Sequence, residues 1–304
     1  MIMKIRFDEQ VAIVTGAGRG LGRSHAIAMA SKGAKVVVND FSGSNEISEN
    51  AKSVVQEITS AGGEAIAHGA NVANFDQVQS MVGEATDKWG RVDILVNNAG
   101  ILRDKTFLKM SVEDMREVID VHLMGSLNCS KAVWEIMREQ SYGRIVLTSS
   151  SSGLYGNFGQ TNYGAAKMAM VGIMNTLHLE GMKYNIKVNC LAPTAGTAMT
   201  DGLFPEPVFK LMPPESVSPG VVFLCSENAP SRKVLAAGGG SFAIFKGFET
   251  EGVNLLPDEL SAESVAKYWD KIDGENNMQE PQSGSAQSQK FAMQAAEKLG
   301  LDLS

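Results

Sequence analysis

The chain has 304 residues, 44% of them hydrophobic and 20% charged, a globular composition that excludes a disordered or fibrous protein. Its net charge of −7 is uneven: residues 246–304 carry 11 acidic and 5 basic side chains, which leaves the body near neutral. That balance excludes a nucleic-acid or anionic-membrane footprint, and no apolar run approaches the roughly 18 residues of a membrane span.

Three cysteines, Cys129, Cys190 and Cys225, stand far apart, with neither a disulfide framework nor metal-ligand spacing. His25, His68, His122 and His178 form no ligand pair, so no metal is expected. Met1–Gln10 shows no apolar signal region, and a reducing, cytoplasmic location is expected.

In chain order, seven short apolar runs alternate with amphipathic stretches. The runs are Val11–Thr15, Lys35–Asn39, Glu64–Ala67, Ile94–Asn97, Arg144–Thr148, Lys187–Leu191 and Lys233–Ala236. Most are apolar on both faces, as strands between two helix layers should be. Glu46–Ser60, Phe75–Lys88, Val112–Gln140 and Tyr163–Tyr184 have helical patterning. The alternation predicts an α/β, doubly wound (Rossmann) three-layer fold over residues 1–245. Residues 246–304 form an acidic C-terminal helical extension, with helices at Glu259–Trp269 and Gln289–Leu299 and a Gln/Ser/Gly-rich connector around Glu275–Ser288. Trp269 and neighbouring leucines give the extension an apolar surface suited to cover an edge of the body or of a partner subunit.

Directly after the first strand comes Thr15-Gly16-Ala17-Gly18-Arg19-Gly20-Leu21-Gly22. Glycines there permit a tight turn and let the backbone approach a pyrophosphate at a helix N-terminus. The second strand ends at Asp40, about 20 residues on, where a carboxylate meets the ribose hydroxyls. No Arg or Lys follows in Phe41-Ser42-Gly43-Ser44, so a 2′-phosphate would meet repulsion without compensation. The expected cofactor is NAD rather than NADP.

The fourth strand closes on Asn97-Asn98-Ala99-Gly100. Ser150 follows the fifth strand, thirteen residues before Tyr163, and Lys167 lies one helical turn after Tyr163. With the glycine loop, these motifs make the chain resemble the short-chain dehydrogenases/reductases. The resemblance implies a seven-stranded parallel sheet, with Ser150, Tyr163 and Lys167 as the catalytic set. It implies cofactor contacts from Gly16, Arg19, Gly20, Leu21, Gly22, Asp40, Asn71, Val72, Asn98, Ala99, Gly100, Tyr163, Lys167 and Pro193. The residue types suit the chemistry: a phenol beside an ammonium can take a proton from an alcohol, while a serine hydroxyl holds the substrate oxygen.

Two positions depart from the family pattern. His122 stands where an asparagine normally carries a relay water, and it serves either that relay or core packing. Asn71 stands where an adenine-contacting Asp is common, and it keeps the acceptor.

Within the family, Val36–Asp40, Asn98–Asp104, Tyr155–Tyr163 and Ala192–Gly196 resemble the (3R)-hydroxyacyl-CoA dehydrogenase unit of the peroxisomal multifunctional enzyme of β-oxidation. That likeness implies an acyl-CoA substrate, a homodimer or homotetramer, and peroxisomal location in a eukaryote. Since the chain ends at Ser304, before any hydratase or sterol-carrier unit, it reads as a stand-alone dehydrogenase. Six of the nine prolines fall between Pro193 and Pro219. This loop carries Met199, Leu203, Phe204, Phe209, Leu211 and Met212, which either close over an apolar substrate or merely pack on the body. Arg103, Lys105 and Lys109 are either a CoA-phosphate site or a solvated charge run. The other readings are a 3-oxoacyl-thioester reductase, a steroid or alcohol dehydrogenase, and a non-catalytic NAD-binding regulator.

Overall fold

The computed structural model describes residues 4–44, 46–198 and 205–301. The strands form one sheet: β1 Val11–Val14, β2 Lys35–Asn39, β3 Glu64–His68, β4 Ile94–Asn97, β5 Gly143–Thr148, β6 Ile186–Thr194, β7 Val234–Gly238 and β8 Ser241–Phe245. The order is β3-β2-β1-β4-β5-β6-β7-β8, with every pair from β3 to β7 parallel. Strands β1, β4 and β5 are buried along their whole length because helices cover both faces.

The sheet therefore has eight strands, not the seven expected. Gly239 and Gly240 have φ of 55° and 78°, a two-residue turn that glycine reaches without steric cost. It folds the chain straight back, so β8 runs antiparallel at the edge. Its side chains are largely exposed, although Phe242, Ala243, Ile244 and Phe245 make an unbroken apolar run.

The chain leaves β1 to one side and β4 lies on the other, so the winding reverses between them. Crevices for ligands open beyond the carboxyl ends of the strands at such a switch point. Helix α1, Gly20–Ser31, starts there. On the two faces lie α2 Glu49–Ser60, α3 Phe75–Trp89, α4 Val112–Ile119, α5 Gly125–Gln140, α6 Ser151–Tyr155, α7 Thr161–Gly181, α8 Glu206–Lys210 and α9 Ser218–Leu224. The expected single helix Val112–Gln140 is instead α4 and α5 joined by a π-helical turn at Asp120–Met124. Such turns add one residue per bond ring, reset which side chains face inward, and frequently mark functional positions.

Arg144 on β5 is 1% exposed and, among the described residues, has no carboxylate partner. Its guanidinium donates to the carbonyls of Gly143, Asn185, Ser226 and Glu227 and lies 4.2 Å over the Tyr142 ring. The charge is spent on holding loop ends together.

Contacts divide the chain into two compact units, Met1–Ile244 and Phe245–Ser304. The second contains α10 Ala262–Lys267, α11 Trp269–Ile272 and α12 Gly284–Leu299. An antiparallel bridge joins Glu249 to Gln279, and Lys290 pairs with Glu249 at 2.9 Å. Helix α12 begins five residues before the expected Gln289. The Ser283 hydroxyl accepts from Ala286 N at 3.2 Å, and this N-cap converts part of the Gln/Ser connector into helix.

Candidate active site

The end of β1 and the end of β4 are stitched together by side chains. The Thr15 hydroxyl accepts from the backbone N–H groups of Asn98 and Ala99 at 3.0 and 3.1 Å. The Asn98 amide donates to the carbonyls of Thr15 and Gly16 at 2.9 and 3.1 Å. Asn98 thus shapes the loop through its side chain. A Cβ on Gly22 would lie 2.2 Å from the Gly16 carbonyl oxygen, so only glycine lets α1 pack this close.

The N-terminus of α1 is open to an anion. Its N-cap, Arg19, makes no side-chain cap and the first turn has no acid, so the N–H groups of Gly20, Leu21 and Gly22 have no competing carboxylate. Asp40, after β2, closes the other side, where a Cβ on Gly18 would lie 2.3 Å from its Oδ2. A dinucleotide fits this cradle: donors for the pyrophosphate, a carboxylate for the ribose, and no Cβ between. Asn71 and Val72 follow β3. Asn71 Oδ1 accepts from Ala73 N at 3.0 Å in a local turn, and Val72 is buried against α5 at Gly125. Ala99 and Gly100 follow β4, and Pro193 lies near the end of β6.

Ser150, Tyr163 and Lys167 meet at the carboxyl ends of β5 and β6. Ser150 is the N-cap of α6, its hydroxyl accepting from Ser152 N at 3.2 Å, and its side chain acts on the Tyr163 phenol to favour the phenolate. Helix α7 carries Tyr163 and Lys167 one turn apart, with Lys167 Nζ 5.6 Å from the Tyr163 ring centre. Lys167 is 4% exposed and donates to the Thr148 carbonyl at 2.7 Å. Burial pushes its pKa down to about 7, against a small opposing effect of Cys190. Burial also raises the Tyr163 phenol, outweighing the lowering influence of Ser150, and the charge of Asp104 raises it further. In the protein alone, burial therefore dominates over the lowering expected from a neighbouring ammonium.

Several residues of this site escaped the sequence reading. Asn162, 4% exposed, accepts from Tyr163 N through Oδ1 at 2.8 Å and donates to the Arg103 carbonyl, fixing the start of α7. Gln160 donates to Asp104 at 2.6 Å and so holds that carboxylate in place. Ser48 donates to Asp40 at 2.7 Å. Only Ser48 had a local signal, as a serine three residues before Ala51 at a helix start. Arg103 forms a bidentate pair with Glu117, and Lys105 pairs with Asp114 at 2.7 Å, so two of the three cations considered for a phosphate site have carboxylate partners. In the proline-rich loop, Phe209 packs against Gly196 and Leu211 is 71% exposed, while Met199, Leu203 and Phe204 lie outside the described residues.

The short chain dehydrogenase family profile matches residues 10–207. A short-chain type dehydrogenase/reductase of Mycobacterium tuberculosis is 46% identical over 270 residues, 87% of this chain and 94% of that protein. The mouse peroxisomal multifunctional enzyme type 2 is 43% identical over 293 residues, 93% of this chain but only 39% of the mouse protein. The solved full-length Drosophila melanogaster multifunctional enzyme superposes with a TM-score of 0.82 at 36% identity, covering 97% of this chain and 51% of that one. The chain belongs to the short-chain dehydrogenase family. It is an oxidoreductase acting on CH–OH groups with a nicotinamide cofactor. Among the described residues, no cluster of His, Cys, Asp and Glu could hold a metal ion, and no helix is long and apolar enough to cross a membrane.

Proposed function

We propose that the chain is an NAD-dependent 3-hydroxyacyl-CoA dehydrogenase, interconverting the 3-hydroxy and 3-oxo carbon of a fatty acyl thioester. The observation that carries the chemistry is the buried Lys167 one helical turn from Tyr163, with Nζ 5.6 Å from the phenol ring centre and 2.7 Å from the Thr148 carbonyl at the end of β5, where Ser150 follows. The likeness to multifunctional enzymes of peroxisomes, over nearly the whole of this chain, supports the substrate class.

In this reading Ser150 donates to the substrate oxygen and stabilises the charge that develops on it. Tyr163, as phenolate, takes the hydroxyl proton through Oη. NAD, when bound, supplies the hydride acceptor. Lys167 holds the nicotinamide ribose and its ammonium favours the phenolate, against the burial that raises the phenol. Asp40 selects NAD by accepting from the adenosine ribose hydroxyls and repelling a 2′-phosphate. Around the site, Tyr155, Phe158, Phe107 and Leu108 are 66–94% exposed, an apolar surround suited to an acyl chain. A homodimer or homotetramer through α5 and α7 is supported by the exposed Met124, Leu127, Met168 and Leu179 on these helices and the π turn that leads into them.

The test follows absorbance at the NADH band with a panel of 3-hydroxyacyl-CoA thioesters against simple alcohols and hydroxysteroids. Thioesters turning over at least tenfold faster support the reading; preference for a steroid or alcohol overturns it. The reductase alternative predicts NADPH as the better donor, which Asp40 disfavours.

A further inference from the structure

Residues 103–105 and 159–163 are joined beside the reaction centre. Lys105 N donates to the Gly159 carbonyl at 3.0 Å, the Asn162 amide donates to the Arg103 carbonyl, and Gln160 Nε2 donates to Asp104 Oδ2 at 2.6 Å. Gln160 is 6% exposed, and its Oε1 accepts from the Asn157 amide at 3.1 Å, so its orientation is set. An exposed carboxylate is thereby held by a neutral donor three positions before Tyr163.

Among the described residues no cation neutralises it. Its sequence neighbours are engaged elsewhere, Arg103 with Glu117 and Lys105 with Asp114, each at 2.7 Å. The other groups around the phenol do not supply the charge. His122 meets the Tyr163 ring edge-on at 5.2 Å between centres and is 2% exposed. Burial and then the Lys167 charge push its pKa down to about 3, so it is neutral. Lys167 is 4% exposed and bonded to the Thr148 carbonyl. Ser150 carries no charge. Beyond burial itself, it is the Asp104 charge that raises the Tyr163 phenol, so the carboxylate is felt at the reacting oxygen.

We propose that Asp104, held by Gln160, is a specificity-determining residue: it rejects substrates with a free carboxylate beside the reacting hydroxyl and admits the uncharged thioester. The proposal deepens the acyl-thioester reading and rests on Tyr163 as the group that meets the substrate hydroxyl. In a 3-hydroxy acid the C1 carboxylate lies about 4 Å from the hydroxyl oxygen by ordinary bond lengths. A charge felt at the phenol oxygen is therefore felt at that carboxylate. The repulsion grows once the substrate displaces water from between the two groups. A thioester presents only a dipole there. Gln160 is the positioning residue, because it sets where the carboxylate stands without carrying charge.

The test compares 3-hydroxyoctanoate with its N-acetylcysteamine thioester, a pair that differs in charge at C1 and carries no nucleotide phosphates. With NAD saturating, the unmodified protein should give a kcat/KM for the thioester at least about tenfold above that for the free acid. Asp104→Asn keeps an acceptor for Gln160 and leaves both neighbouring ion pairs intact. It should narrow that ratio on the order of tenfold, chiefly through the KM of the acid. Any effect of the substitution on the phenol or on folding acts on both compounds and cancels in the ratio. In the unmodified protein the ratio should also narrow as salt is raised, and in Asp104→Asn that dependence should largely vanish. A ratio that narrows by less than about threefold in Asp104→Asn overturns the proposal, as does an unmodified protein that prefers the free acid. Failure of the acyl-thioester reading looks different. Both compounds then turn over more slowly than simple secondary alcohols, while the response of their ratio to Asp104→Asn still decides the role of Asp104.

Discussion

The Ser48 hydroxyl donates to the Asp40 carboxylate at 2.7 Å and accepts from Ala51 N at 3.0 Å, so one side chain both caps α2 and fixes the acid that follows β2. On the proposed reading of Asp40, helix capping and nucleotide selection are coupled through this one oxygen.

From that coupling, NAD should bind at least tenfold more tightly than NADP, about 1.4 kcal/mol. Asp40→Ala should erase most of the preference while leaving turnover with NAD measurable. Ser48→Ala should cost about 1 kcal/mol of stability as a lost cap and weaken the preference partway. Calorimetric titration of both nucleotides with the three proteins is the check. Tighter NADP binding by the unmodified chain would refute the assignment of Asp40.

Tyr163→Phe should abolish nearly all turnover while NAD still binds, because it removes the transferable proton and leaves the ring. Ser150→Ala should lower kcat by on the order of 10² to 10³, the usual cost of an oxyanion donor. It also strips the N-cap of α6, so a thermal melt must accompany the kinetics. An intact rate in either variant, with melting unchanged, would move the chemistry elsewhere.

Most of this site was legible because the motif residues sit where the chain leaves a strand. The glycine loop, Asp40, Asn98–Gly100 and Ser150 each follow a run of Val, Ile or Leu, so strand periodicity alone brings them to one edge. What stayed hidden depends on tertiary distance. Asn162 and Gln160 reach groups more than 45 positions away in sequence, and nothing local announces such a partner. The π turn was invisible for a different reason: one extra residue in a bond ring leaves an apolar pattern that still reads as continuous helix. β8 was missed although Phe242–Phe245 is an unbroken apolar run: only two glycines separate it from β7, and a pattern that alternates strand with helix passes over a hairpin partner.

Lys167 places a charge in the core, and stability should record it. Its folded pKa of about 7 lies below the ordinary 10.5, so between those values the unfolded chain binds the extra proton and stability rises with pH. The burial penalty is complete below pH 7 and relieved toward pH 10.5. Lys167→Met should therefore abolish turnover yet raise the melting temperature at pH 6, with the gain shrinking as pH climbs. A variant that melts lower than the parent at pH 6 would show that the bond to the Thr148 carbonyl outweighs the desolvation of the ammonium.

His25 gives the opposite limb of the pH profile. It lies on α1, fully buried, with Nδ1 2.8 Å from the Ser218 hydroxyl, which is 2.7 Å from that of Ser24. The three groups tie α1 to α9. Its Nε2 has no partner among the described residues, and burial pushes the imidazole down to about 3. In the unfolded chain it titrates near 6.5, so below that pH the unfolded state takes up a proton that the fold refuses. Stability is whole above pH 6.5 and is lost as pH falls toward 3. At about 1.4 kcal/mol per tenfold difference in proton affinity, this one residue can withdraw a few kcal/mol by pH 4. His122, held neutral in the same way, adds to the loss. His25→Phe keeps an aromatic ring between the helices without a titrating group, at the expense of one bond to Ser218. It should lower the melting temperature modestly at pH 7 and flatten its decline between pH 6.5 and 4. Parallel melting curves for variant and parent across that window would show that the imidazole is not the acid-sensitive group.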